Sequence, residues 1–282
     1  ECVFCSSPQM WGTRYFMRPP EDVVNEMEYF KNKFGVLNFD FFDLTAIINK
    51  RWIIEFAQEL ITRGLNITWQ IPAGTRSEAI DKEVARYLYK SGCRNITYAP
   101  ESGADEILKS IKKKVRLTNI LRSIRNSYDE KMNVKLNMVI GFPSEKHRTI
   151  WQTLLFLIKA SWNGAHDMAP SVFSPYPGSE LFEQLCKEGK IDVASDDYFL
   201  QIIYVDTFFN NFFYNTNINK YCLRIYLLMC YIFFYGSNYF FYPSRLIRTI
   251  RNVVTTNYES RAEMALGELI KRSKIKIKKP EE

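Results

Sequence analysis

The sequence predicts an α/β protein built on parallel strands. Five short apolar runs alternate with stretches of helical periodicity between residues 36 and 187, and such a strand–helix–strand series calls for parallel pairing through right-handed crossovers. The loop after each run carries Gly, Pro or a small polar residue beside a charged or aromatic group. That is what the carboxyl ends of parallel strands present when they build a site. An open sheet and a barrel both satisfy the pattern.

Each element has a local reason. Pro20 with Glu21 and Asp22 suits a helix start, because a first-turn proline loses no hydrogen bond and acids oppose the positive end of the helix dipole. Val23, Val24, Met27 and Phe30 then share one face, and Gly35 stops the run. Residues 36–42 read as a buried strand, 49–63 as a helix closed by Gly64, and 67–71 as the next strand. The series continues with a helix over 77–91 stopped by Gly92, a strand over 95–99 and helical material over 105–131. A strand over 134–140, a helix over 150–162, a strand over 168–173 and a helix over 180–187 complete it. Beyond this point aromatics and asparagines dominate, with Phe208, Phe209, Phe212, Phe213 and Tyr214 ahead of an uncharged stretch, 225–242. The expected division is a core over 1–190 and a helical, aromatic-rich region with a basic tail over 191–282.

The stretch 225–242 has about the length that crosses a bilayer. Gly236, Ser237, Asn238 and the following Pro243 interrupt it, and tyrosines stand where leucine and valine belong. The interruptions favour a packed helix pair covering the open side of the core over a membrane span. Peripheral membrane attachment, with Arg245, Arg248 and Arg251 at the surface, lies between the two. The net charge of +7 gathers in these arginines and in the run 271–279, which is a tail and not the aromatic-interleaved patch of a nucleic-acid module. With 46% hydrophobic residues the chain can bury a large core. Six cysteines without a disulfide frame and no visible signal segment point to the cytoplasm, with its membrane surface as a variant. The absence of an initiating Met leads one to expect sequence upstream of Glu1.

The chemistry-bearing stretch is Cys2-Val3-Phe4-Cys5. Thiolates at that spacing reach one metal from a single tight turn, and soft sulfur selects zinc, copper(I) or iron–sulfur clusters. As a lone pair they equally suit a redox dithiol. Arg76 lies at a strand mouth, and Arg14 and Arg18 follow the cysteine loop; each suits either a carboxylate contact or a surface ion pair, while Asp43, also at a strand mouth, suits a helix cap or a ligand contact. His147 and His166 lack a partner at ligand spacing and read as surface or cap residues. Cys93, Cys186, Cys222 and Cys230 read as small buried hydrophobes.

In combination, the cysteine pair, the strand–helix series, Ala99-Pro100-Glu101-Ser102-Gly103 and Ile140-Gly141-Phe142-Pro143 resemble the radical S-adenosylmethionine (SAM) enzymes, most closely those carrying an upstream cobalamin-binding domain. The family motif is Cys-x-x-x-Cys-x-x-Cys. Cys2 and Cys5 match its second and third cysteines, and the first would stand three residues before Glu1. The resemblance runs from Cys2 to about residue 189, with the C-terminal region matching more loosely. It implies a partial (β/α)6 TIM-like barrel of the radical SAM type, its first strand absent from the five counted here, with a mostly helical C-terminal extension.

The implied cofactors are a 4Fe-4S cluster held by three cysteines, SAM on the cluster's open iron, and cobalamin bound by an upstream domain. A low-potential donor such as ferredoxin or flavodoxin would supply one electron. SAM would then yield a 5′-deoxyadenosyl radical acting on a small-molecule substrate, with cobalamin-dependent methyl transfer or cyclisation as outcomes. Residue by residue, Cys2 and Cys5 become metal ligands, and Phe4 lies against the adenine. Glu101, Ser102 and Gly103 meet the ribose or amino group. Gly141 and Phe142 form the turn whose main chain approaches the adenine, Arg76 pairs with a carboxylate, and Tyr176 and Gly178 border the substrate. Two thiolates in place of three imply poor cluster retention and inactivity for residues 1–282 alone. Read without the resemblance, the residues also fit a non-catalytic zinc module or a membrane-binding α/β protein.

Overall fold

The computed structural model describes residues 2–43, 45–203, 213–260, 263–268 and 270–271. Leu44 in the first strand-end loop, Phe208, Phe209 and Phe212, and the basic run past Lys271 lie outside the described residues.

Among the described residues five strands lie side by side in chain order, all parallel: β1 (Asn38–Asp40), β2 (Thr68–Thr75), β3 (Cys93–Glu101), β4 (Asn133–Ile140) and β5 (Asp167–Val172). Helices α1 (Ser7–Trp11) and α2 (Pro20–Phe34) precede β1. The crossovers are α3 (Lys50–Arg63), α4 (Lys82–Lys90), the pair α5 (Asp105–Ser110) and α6 (Leu117–Asp129), and α7 (His147–Trp162). After β5 come α8 (Glu180–Lys187), α9 (Asp196–Ile203), α10 (Lys220–Phe241) and α11 (Pro243–Thr255). Strands in sequence order joined by helical crossovers make a partial β/α barrel with a helical C-terminal part.

The local chemistry explains most boundaries. Pro20 opens α2 and Gly35 closes it in the left-handed region (φ 68°). Asn49 caps α3 by accepting from the Arg51 and Trp52 amides, and Ser179 caps α8 through Phe182. β4 alternates, with Val134, Leu136, Met138 and Ile140 all buried.

Three expectations need correction. The segment 36–42 is not a buried strand: only Asn38–Asp40 pairs, at the sheet's edge, and its two polar residues are exposed. Residues 77–91 are not one helix, because Asp81 leaves the helical path to cap α4 from Val84. The helical material expected over 105–131 is present, as two helices separated around Lys112, which has φ 53°. Phe30, placed on the inner face of α2, is 39% exposed.

The main core lies between the sheet and its helices and extends into Leu223, Leu227, Cys230 and Phe234 of α10, which packs on α7 and β5. A second cluster sits at the carboxyl ends of the strands and joins Val3, Ile107, Ile111, Phe142, Phe173, Phe182 and Tyr214. Among the described residues no helix is long and apolar enough to cross a membrane.

Candidate active site

The cysteine loop is moored over the strand mouths by its own backbone. The Val3 amide donates to the Ile111 carbonyl (3.1 Å), and the Val3 carbonyl accepts from the Leu181 amide (2.9 Å). The loop thus bridges the end of α5 and the start of α8. A turn closes the pair, Cys5 N–H to the Cys2 carbonyl at 3.2 Å, and the Cys5 thiol donates to Ser7 Oγ at 3.1 Å. Both cysteines are half-buried. Phe4 rests edge-on against Phe142 with ring centroids 5.5 Å apart, and Phe142 leans on Phe173 at 5.1 Å. The loop is thereby tied to the turn that follows β4.

Beside it lies a buried ion pair. Glu101 ends β3 at φ 66°, an uncommon conformation for a side chain-bearing residue, next to a bulge in the β3–β4 ladder. Its Oε1 accepts from Lys113 Nζ at 2.9 Å. Burial pushes the Glu101 carboxyl above its usual range, and the lysine charge opposes this without cancelling it. Burial would also depress Lys113, but attraction to Glu101, and to Cys2 and Cys5 behind it, holds the ammonium above its ordinary value. The cation therefore stays charged beside the thiols. Burial raises the Cys2 thiol, with Lys113 working the other way.

The turn after β4 has its own support. Gly141 has φ 86°, which glycine adopts without strain. The Glu145 carboxylate reaches back beneath the turn, where Oε2 accepts from the Gly141 and Phe142 amides. Its Oε1 is buried and has no partner among the described residues. Burial pushes this carboxyl up to about 7, the two amides moderating the rise. From outside, Asn215 Nδ2 donates to the Phe142 and Glu145 carbonyls at 2.6 and 3.0 Å.

The structure thus brings Cys2, Cys5, Phe4, Glu101, Gly141 and Phe142 to one mouth. Ser102 and Gly103 are adjacent but turned to α7. Ser102 Oγ lies 3.3 Å from Thr153 Oγ1, which also accepts from the Gly103 amide at 3.0 Å. A Cβ on Gly103 would stand 2.5 Å from that of Phe156, so packing alone demands glycine there. Arg76 is exposed after β2. Arg14 is exposed as well, while Arg18 pairs with Asp22 (2.8 Å) and Glu26 across the start of α2. Asp43 is exposed and lines a cavity of about 330 Å³ with Tyr15, Phe39 and Trp52; that cavity touches neither cysteine. Tyr176 is 40% exposed, and Gly178 has φ 81° beside Gln9.

His166 is not a surface residue. The half-buried ring accepts from the Val134 amide through Nδ1 at 3.1 Å, while His147 Nδ1 lies 2.8 Å from the Tyr226 hydroxyl, joining α7 to α10. Cys93 and Cys230 are buried, but Cys186 and Cys222 only partly so. Sequence reading missed Lys113, which sits in a lysine triplet that looks solvated, and the inward role of Glu145.

A family model, that of the Radical SAM superfamily, matches residues 1–157, more than half of the chain. The chain belongs to the radical SAM superfamily. Its sequence is 27% identical over 182 residues to an uncharacterized methyltransferase of Pyrococcus horikoshii, covering 64% of this chain and 39% of that protein. It is 29% identical over 187 residues to the anaerobic magnesium-protoporphyrin IX monomethyl ester cyclase of Cereibacter sphaeroides, covering 65% and 30%. The chain therefore spans well under half the length of these curated relatives. Among solved structures, the radical S-adenosylmethionine methyltransferase TsrM from Kitasatospora setae, with cobalamin and a [4Fe-4S] cluster bound, superposes with TM-score 0.59 at 18% identity, covering 66% of this chain and 37% of that one. The likeness supports the fold.

The superfamily's cofactors are a 4Fe-4S cluster and SAM, and the donor set here fits two corners of such a cluster. Two thiols share one turn, and a charged lysine stands beside them to offset thiolate charge. The described residues gather no group of three or more His, Cys, Asp or Glu, so they complete neither the third cluster ligand nor a four-ligand structural zinc site.

Proposed function

We propose that this chain is the core of a cobalamin-associated radical SAM enzyme that carries out methyl transfer or cyclisation on a small-molecule substrate. The observation that carries the reading is the convergence of the Cys2–Cys5 turn, the Glu101–Lys113 pair and the Gly141–Phe142 turn at one mouth. The named relatives, a methyltransferase and a cyclase, support the two outcomes, and the cobalamin in the TsrM structure supports that cofactor. When bound, the cluster supplies the electron that cleaves SAM reductively.

The chain's residues do the placing. Cys2 and Cys5 would hold two irons of the cluster, and Lys113 keeps a positive charge beside their sulfurs. Glu101, fixed by Lys113, offers its carboxylate to SAM's hydroxyls or ammonium. Gly141 lets main chain approach the adenine, with Phe4 packed across it. Arg76 at the β2 mouth pairs with a carboxylate, and Ser102 and Gly103 act by seating the Glu101 loop on α7. In the cytoplasm, ferredoxin or flavodoxin serves as electron donor. Anaerobic reconstitution of the full gene product, with iron content and SAM cleavage followed by chromatography, tests this. Bound iron and sulfide with 5′-deoxyadenosine or S-adenosylhomocysteine among the products is expected, and C5S should abolish both. Zinc without iron, or intact SAM, overturns it.

A further inference from the structure

Helix α11 is amphipathic in the reverse of the usual sense. Its buried side chains are Arg245, Thr249 and Asn252, whereas Leu246, Ile247, Ile250 and Val254 face solvent, Ile247 and Val254 at 70% and 77% exposure. The sequence reading that set Arg245 at the surface is corrected here. Its guanidinium donates to the Ala165 carbonyl (2.7 Å), the Gly164 carbonyl (3.1 Å) and Asn238 Oδ1 (2.9 Å). Thr249 and Asn252 donate to the buried Glu263 carboxylate at 3.2 and 3.3 Å. These bonds fix the helix's rotation, since rolling the apolar stripe inward would strip a buried cation of its partners.

Leu246, Ile250 and Val254 recur every fourth residue with Ile247 beside them, so they form one stripe. Trp162, 61% exposed, flanks its start, where the Tyr242 hydroxyl donates to the Trp162 carbonyl. Residues 243–282 carry ten of the lysines and arginines against five acids; on α11 itself Arg245 is buried and Arg248 pairs with Glu259, which leaves Arg251 as the exposed cation beside the stripe. We propose that α11 docks on an anionic bilayer surface. Its four aliphatic residues enter the headgroup–acyl boundary, Trp162 sits at headgroup level, and Arg251 lies over lipid phosphates. A second copy of the chain is the poorer occupant, because a two-fold contact along the stripe would set Arg251 against its own copy.

The test is sedimentation of the full-length protein with vesicles of phosphatidylcholine alone and of phosphatidylcholine mixed with phosphatidylglycerol. Binding to the anionic vesicles only, weakened by salt, is expected. The double variant Ile247→Asn, Ile250→Asn should lower partitioning about tenfold or more, and Arg251→Glu should lower it less. Both substitutions are at exposed positions, and an unchanged circular dichroism spectrum confirms the fold. Absence of binding, or binding that the double variant leaves intact, overturns the proposal. So does a dimer in sedimentation velocity that the double variant dissolves, which would make the stripe a self-interface.

Discussion

Two buried polar centres sit at opposite ends of β5 and are built by different rules. At its amino end, Arg245 donates to two carbonyls and an asparagine, and His166 accepts from Val134. At the carboxyl ends of the neighbouring strands, Glu101 holds a positive φ, Glu145 keeps a buried oxygen without a partner among the described residues, and two thiols stand half-buried in one turn. The first centre closes on itself and holds helices together. The second carries strain and unmet hydrogen-bonding capacity, which persist where surrounding structure imposes them and concentrate where ligands bind. An unmet buried atom alone does not mark the site, since Arg248 Nε near the first centre also lacks a hydrogen-bond partner among the described residues; it is the positive φ, the buried carboxylates and the thiol turn together that set the second centre apart.

The largest effect should come from breaking the closed centre. Arg245→Met removes the cation and leaves the Gly164 and Ala165 carbonyls without these partners, at a cost of about 3 kcal/mol or more. Urea unfolding reads this directly. A loss under about 1 kcal/mol would mean that Arg245 behaves as a surface charge, and the contrast would fail.

How legible was this division in the sequence? The strand–helix order was, because apolar period and glycine stops are local properties, and the cysteine pair and strand-end loops declared themselves by composition. Lys113 was not: its partner Glu101 is twelve residues away, and only the turn after α5 brings the two within 2.9 Å. Ser102 and Gly103 read as ligand contacts, yet their bonds and space are taken up by Thr153 and Phe156 of α7, fifty residues on. Arg245 misled for the same reason. An arginine among exposed aliphatics looks solvated until α10 and the segment before β5 enclose it.

The second test concerns the open centre. Glu145 titrates near 7 in the fold against about 4.3 in an unfolded chain. The raised value means that its contribution is complete below about 4.3 and is lost as pH rises through 7. Glu145→Gln retains an acceptor for the Gly141 and Phe142 amides and removes the charge. Between pH 5 and pH 8 the variant should gain about 2 kcal/mol relative to the parent in chemical denaturation. Parallel pH profiles would show that the carboxylate is solvated and the turn not closed over it.

The smallest effect has the opposite sign and belongs to the closed centre. Burial, with the Arg245 and Arg248 charges adding to it, lowers His166 to about 3. Its contribution is complete above about 6.5, where an unfolded histidine is neutral, and is lost as pH falls. From pH 7 to pH 5.5 the parent should lose about 1 kcal/mol, an upper figure because the half-buried ring keeps some water. His166→Gln, which can still accept from Val134, should lack that loss. In the Arg245→Met background the acid sensitivity should shrink, because one of the two charges that oppose protonation is gone. If it does not, Arg245 and His166 are independent neighbours and the amino-terminal centre is two contacts rather than one unit.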